Sequence, residues 1–87
     1  MPVKHELQWK RSAAKELQAF EREVQQRILL AVESLGKEPM PRGVRKLKGS
    51  RHTYRIRIGK HRAVYSVDSD NKVVTVLAVR HRSDAYR

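Results

Sequence analysis

The chain has 87 residues, 33% of them charged, and a formal net charge of +11. That length suits one domain around one modest core, and the absence of cysteine excludes disulfides and thiolate metal sites, as expected in a reducing compartment. No stretch is apolar enough to span a bilayer, and the first residues alternate in polarity where a signal peptide would carry an apolar run, so a soluble, cytoplasmic protein is expected.

In chain order, Val3, His5, Leu7 and Trp9 alternate with Lys4, Glu6, Gln8 and Lys10, the period of a half-buried strand, with His5 structural and Trp9 a core anchor. Ser12 suits a helix N-cap, and from Ala13 the apolar residues Leu17, Phe20, Val24, Ile28, Ala31 and Leu35 recur in steps of three or four. Gly36 fits a left-handed C-terminal cap and Pro39 forbids continuation, so the helical region ends near Leu35. The pattern reads as one long helix, since no Gly or Pro marks a break near Phe20 and Glu21. After the loop Met40-Pro-Arg-Gly-Val-Arg, Lys46-Leu-Lys-Gly reads as a short edge strand with Leu47 inward and its lysines outward.

The most informative stretch is Tyr54-Arg-Ile-Arg-Ile-Gly-Lys-His-Arg-Ala-Val-Tyr65, two antiparallel strands joined by a turn at Gly59 and Lys60. Alternation puts Tyr54, Ile56 and Ile58 on one face with Ala63, Tyr65 and Val67, and Arg55, Arg57 and Arg62 on the other. Like charges repel directly across strands, so a sheet built only for stability would not gather them. The cluster calls for an anion, and phosphate is the best fit.

Asp68-Ser-Asp-Asn is a turn whose side chains bond their own backbone; the Gly and terminal Glu of a calcium loop are missing. Val73 to Val79 is a nearly continuous apolar run, expected to be a central strand covered on much of both faces. The order strand, helical region, then three or four strands predicts an α+β sandwich, helices covering one face of an antiparallel sheet of four or five strands. Charge divides unevenly: residues 1–40 carry seven basic against six acidic side chains, residues 41–87 thirteen against three. Such asymmetry points to nucleic acid or another polyanion.

Lys46-Leu-Lys-Gly, Tyr54-Arg-Ile-Arg-Ile, Arg62-Ala-Val-Tyr65, the valine-rich strand and Arg80-His-Arg-Ser-Asp-Ala-Tyr86 together resemble the RelE/ParE superfamily of toxins from type II toxin–antitoxin pairs, and within it the RelE branch. The resemblance implies a RelE-like microbial ribonuclease fold, whose helical hairpin would replace the single long helix. It also implies an endoribonuclease that enters the ribosomal A site and cuts messenger RNA there. Cleavage would need no metal or cofactor, a cognate antitoxin would hold the enzyme inactive, and the toxin–antitoxin complex would bind operator DNA mainly through the antitoxin. By motif position Arg55 and Arg57 fall on the family's pair of basic residues, Arg62 on its catalytic arginine, Arg80 on the arginine after the last strand and Tyr86 on the C-terminal tyrosine.

RNA carries its own nucleophile, the 2′-OH, so cleavage needs alignment, a proton acceptor and charge stabilisation at phosphorus. Arginines supply the last bidentately, and Tyr86 suits stacking on a base. Well-known RelE enzymes carry lysines where this chain has Arg55 and Arg57, and arginine scarcely accepts a proton. His81 is therefore the leading candidate for the base, followed by His61 and His52. Lys46, Lys48, Arg51, Lys60, Arg82 and Arg87 are expected to form a basic rim that binds RNA nonspecifically. The histidines have no metal-ligand spacing, and 2′-OH cleavage needs no metal.

Overall fold

The structure is a computed structural model and describes residues 4–81. Its elements are β1 (Glu6–Trp9), α1 (Arg11–Gln18), α2 (Arg22–Ser34), β2 (Arg45–Lys46), β3 (Thr53–Ile58), β4 (His61–Asp68) and β5 (Val73–His81). The five strands form one sheet in the order β1-β5-β4-β3-β2, and the two helices pack on one of its faces. This is the expected α+β layering with one correction: β1 pairs parallel to β5, so the sheet is mixed. The helical pair lies between β1 and the antiparallel strands and returns the chain so that β5 runs alongside β1 in the same direction. Among the described residues no helix is long and apolar enough to cross a membrane.

The single long helix is corrected to two. Helix α1 stops at Gln18, with Ala19 as its C-cap and Glu21, in extended conformation, as the N-cap of α2. Phe20 sits at the corner, and the Gln25 side chain donates to its carbonyl at 2.8 Å, satisfying an acceptor that the broken helix releases. The N-cap of α1 is Lys10 rather than Ser12, which falls inside the first turn. Gly36 has no positive φ; the residue ending α2, Leu35, is right-handed. Close approach explains this glycine better: the His5 amide donates to its carbonyl, and a Cβ here would lie 3.2 Å from the His5 carbonyl oxygen.

The hairpin forms as read, with Gly59 at φ 60° in the two-residue turn between β3 and β4. Its register pairs Tyr54 with Tyr65, Ile56 with Ala63 and Ile58 with His61. Ile58, Ala63, Val76 and Val79 pack against Ala13, Leu17, Ile28 and Val32, while Tyr65, Val67 and Val74 gather around Leu35. Leu7 and Trp9 complete the first group from β1. The β5 run is not covered on both faces: Val74, Val76 and Val79 are buried, and Thr75 and Ala78 between them are only partly so. The Asp68 turn also forms as read, with the Asn71 amide donating to its carboxylate at 3.1 Å.

Candidate nucleic-acid interface

Among the described residues no helix covers the second face of the sheet. Its side chains follow from register: Arg57 pairs with Arg62 and Arg62 with Arg80, which makes one cross-strand row of arginines over three adjacent strands. In the next row Arg45 pairs with Arg55, Arg55 with Val64 and Val64 with Ala78. Strands stand about 4.8 Å apart, so the guanidinium groups of a row converge on one strip. Arg42, Arg45, Arg55, Arg57 and Arg62 line a cleft of about 390 Å³. A second hollow of about 160 Å³ lies beside it, with Leu47, Val64 and Ala78 as an apolar floor and Arg55, Arg62 and Arg80 around it.

Burial grades the row. Arg62 is 3% exposed, the one buried charged residue among the described residues, whereas Arg57 is exposed and Arg55 is intermediate. Packing therefore holds the middle arginine while its neighbours reach into solvent. Arg80 is held differently: its Nε donates to Glu16 Oε2 at 3.0 Å, and Oε1 of the same carboxylate accepts the Val79 amide at 3.1 Å. Helix α1 thus puts a carboxylate at the edge of β5, beyond Val76, where the β1 pairing ends.

The structure brings together Arg55, Arg57, Arg62 and Arg80 and separates them from His81. The histidine alternates with Arg80 and pairs with His61, so it falls on the helix side of the sheet. The His61 and His81 rings are 5.3 Å apart, and His61 in turn meets the edge of Phe20 at 4.9 Å. Burial first, then the charges of His81 and Arg27, hold the His61 pKa below its ordinary value. His52 is exposed at the opposite end of β4, where its carbonyl accepts the Val67 amide. Tyr65 is fully buried, and its hydroxyl donates to the Pro39 carbonyl at 2.7 Å. Burial, with Tyr54 beside it, pushes its pKa up to about 12.

Of the rim, Lys46 pairs with Tyr54 and so falls on the side away from the arginine row. Leu47, expected inward, instead floors the hollow on the arginine face, because the β2–β3 register puts Arg45 beside Arg55 and the alternation carries on from there. Lys48, Arg51 and Lys60 are exposed in the connections flanking β3. Arg82, Tyr86 and Arg87 lie outside the described residues. Sequence reasoning missed Arg42, Arg45 and Glu16. A period-two reading begun at Arg45 would have found Arg45; Glu16 had only the hint of a carboxylate bordering the Ala13–Leu17 stripe. Among the described residues no group of three or more His, Asp or Glu is placed to hold a metal ion.

A model of the ParE toxin family of type II toxin–antitoxin systems matches residues 7–86. The chain belongs to this RelE/ParE family of toxins. RelE1 of Methanocaldococcus jannaschii is 36% identical over 59 residues, 64% of this chain and 66% of that relative, a match just short of two thirds of its length. The toxin also superposes on the archaeal RelE–RelB complex from Pyrococcus horikoshii with a TM-score of 0.81 and 31% identity, covering 91% of this chain and 96% of that one. The isolated RelE toxin of E. coli gives a TM-score of 0.79 at 26% identity, covering 94% and 90%. The RelE/ParE resemblance and the α+β fold with a helical hairpin are borne out.

Proposed function

We propose that this toxin is an endoribonuclease that cleaves messenger RNA in the ribosomal A site without a metal or other cofactor, and that a RelB-like antitoxin holds it inactive. The observation that carries this reading is the row Arg57, Arg62 and Arg80, with Arg55 beside it, on the face no helix covers. In the proposed step the substrate 2′-OH attacks phosphorus, the bond to the 5′-oxygen breaks, and a 2′,3′-cyclic phosphate and a 5′-hydroxyl result. Arg62 and Arg57 hold the phosphoryl oxygens and oppose the charge that builds there, and Arg80 closes the end of the row. Tyr86 stacks on a neighbouring base. Arginine keeps its proton, so the base lies outside the row. His81 falls on the helix side of the sheet, away from the row, and that placement does not support it in this role.

Known RelE–RelB complexes support the antitoxin, one of them from Pyrococcus horikoshii. An acidic, amphipathic segment would complement the arginine face, and operator binding by the complex would then rest mainly with that partner. Because the matching family model is that of ParE, a second reading is a gyrase inhibitor acting through protein contacts. One assay separates the two: programmed ribosomes with a defined codon in an empty A site, beside the same RNA alone. Cleavage within that codon, only with ribosomes, is the expected result. Intact RNA in both samples, with cleavage complexes accumulating on purified gyrase, would replace the nuclease reading with the second.

A further inference from the structure

We propose that Glu16 is a positioning residue that fixes Arg80 for its part in RNA cleavage; this rests on the nuclease reading above. The Arg80 side chain is 55% exposed and stands at the end of the arginine row, where packing alone would leave it many rotamers. Glu16 removes that freedom from a fixed base. Its Oε1 is tied to the Val79 backbone amide and its Oε2 grips Arg80 at Nε, so the carboxylate is anchored to the same strand whose next residue it orients. A guanidinium has five N–H donors, and gripping Nε leaves the Nη donors to meet an anion. Arg80 lines the hollow together with Arg55 and Arg62.

The choice of residue is informative, because a carboxylate next to Arg80 cancels part of the field that attracts RNA. A surface shaped only for affinity would keep the arginine and omit the acid. Glu16 therefore trades attraction for orientation, and the two have opposite signatures. In Glu16→Gln the amide oxygen still accepts the Val79 amide while the charge that holds Arg80 is lost. Single-turnover cleavage on saturated ribosome complexes should slow by about 10- to 100-fold, the usual effect of a misplaced catalytic group. Affinity for a short single-stranded RNA should stay equal or tighten, since one negative charge is gone.

The decisive comparison is the double variant. If Glu16 acts through Arg80, then Glu16→Gln adds less than about twofold to the loss already caused by Arg80→Ala. An equal loss in both backgrounds, or a Glu16→Gln rate equal to wild type, would overturn the proposal. Arg80→Lys supplies a second variant that leaves Glu16 and its Val79 contact in place: it keeps the charge without the Nε fork and should copy Glu16→Gln. A lysine variant as fast as wild type refutes the orienting role. Should the wild-type protein cut no RNA at all, the nuclease reading fails by itself. The grip on Arg80 is then judged by its Nε–H resonance, slow to exchange in wild type and fast in Glu16→Gln if the proposal holds, unchanged if it does not.

Discussion

Arg62 and Tyr65 lie three residues apart on β4, on opposite faces, and both are almost wholly buried. For Arg62 burial is a cost that function must offset, because a guanidinium is rarely enclosed to 3% exposure. Arg62→Ala is expected to lower single-turnover cleavage by about 10²-fold or more, read on a saturated ribosome complex. A variant as fast as wild type would mean the active face is elsewhere. His81→Gln, by contrast, should leave the pH–rate profile unaltered, since the ring packs against His61 on the helix side; loss of the low-pH limb in that variant would return His81 to the mechanism. Tyr65 is core, and its raised pKa has a definite sign. The folded state favours the neutral phenol, so its contribution is complete below about pH 10 and is lost as pH rises through about 12. Tyr65→Phe should therefore weaken the alkaline fall in the denaturant midpoint over that window, and should cost about 1 kcal/mol near neutrality for the lost bond to Pro39.

At the scale of elements, the helical hairpin depends on a corner with no Gly or Pro to announce it. Gln25 donates from α2 to the Phe20 carbonyl and also, at 3.3 Å, to that of Gln18, bridging the break from the far side. Gln25→Ala is expected to destabilise the fold by about 1 kcal/mol in urea titration, and no change would show that Phe20 packing alone holds the corner. The same corner meets the sheet at His61, whose pKa lies below its ordinary value for reasons of burial first and neighbouring charge second. The unfolded chain takes up this proton before the folded one, so stability present above about pH 6.5 declines as pH falls below it. His61→Phe keeps a ring against Phe20 and should flatten the acid limb of stability against pH; an identical limb in wild type and variant would exclude His61 as its origin.

Across the described residues the strand arginines collect on one side, because β2, β3, β4 and β5 all present arginines to the face the helices leave uncovered. Binding to single-stranded RNA should fall with salt, and each phosphate neutralised contributes about −0.7 to the slope of log K against log salt. Removing Arg57 should reduce that slope by about one such step and weaken all sequences alike. A slope unaffected by Arg57→Ala would exclude phosphate contact at this row.

Local rules account for what could be read directly. Period two fixed the hairpin, the identity of its core face and the gathering of Arg55, Arg57 and Arg62, because alternation on a strand is a property of the backbone itself. The Asp68 turn and the end of the helical region near Leu35 were legible for the same reason, since Asp–backbone bonding and the exclusion of proline act over a few residues. The remainder required partners distant in the chain. The break at Phe20 is held by contacts across it, the Gln25 side chain on the Phe20 carbonyl and the His61 ring of the sheet against Phe20. The parallel pairing of β1 depends on where the chain returns after that hairpin, and Leu47 faces the arginines because of its register with β3. The sequence could place Arg80 and His81 side by side but not on opposite faces of a sheet, nor bring Glu16 to Arg80 from 64 positions away. Such contacts are set by packing between elements, which no local periodicity records.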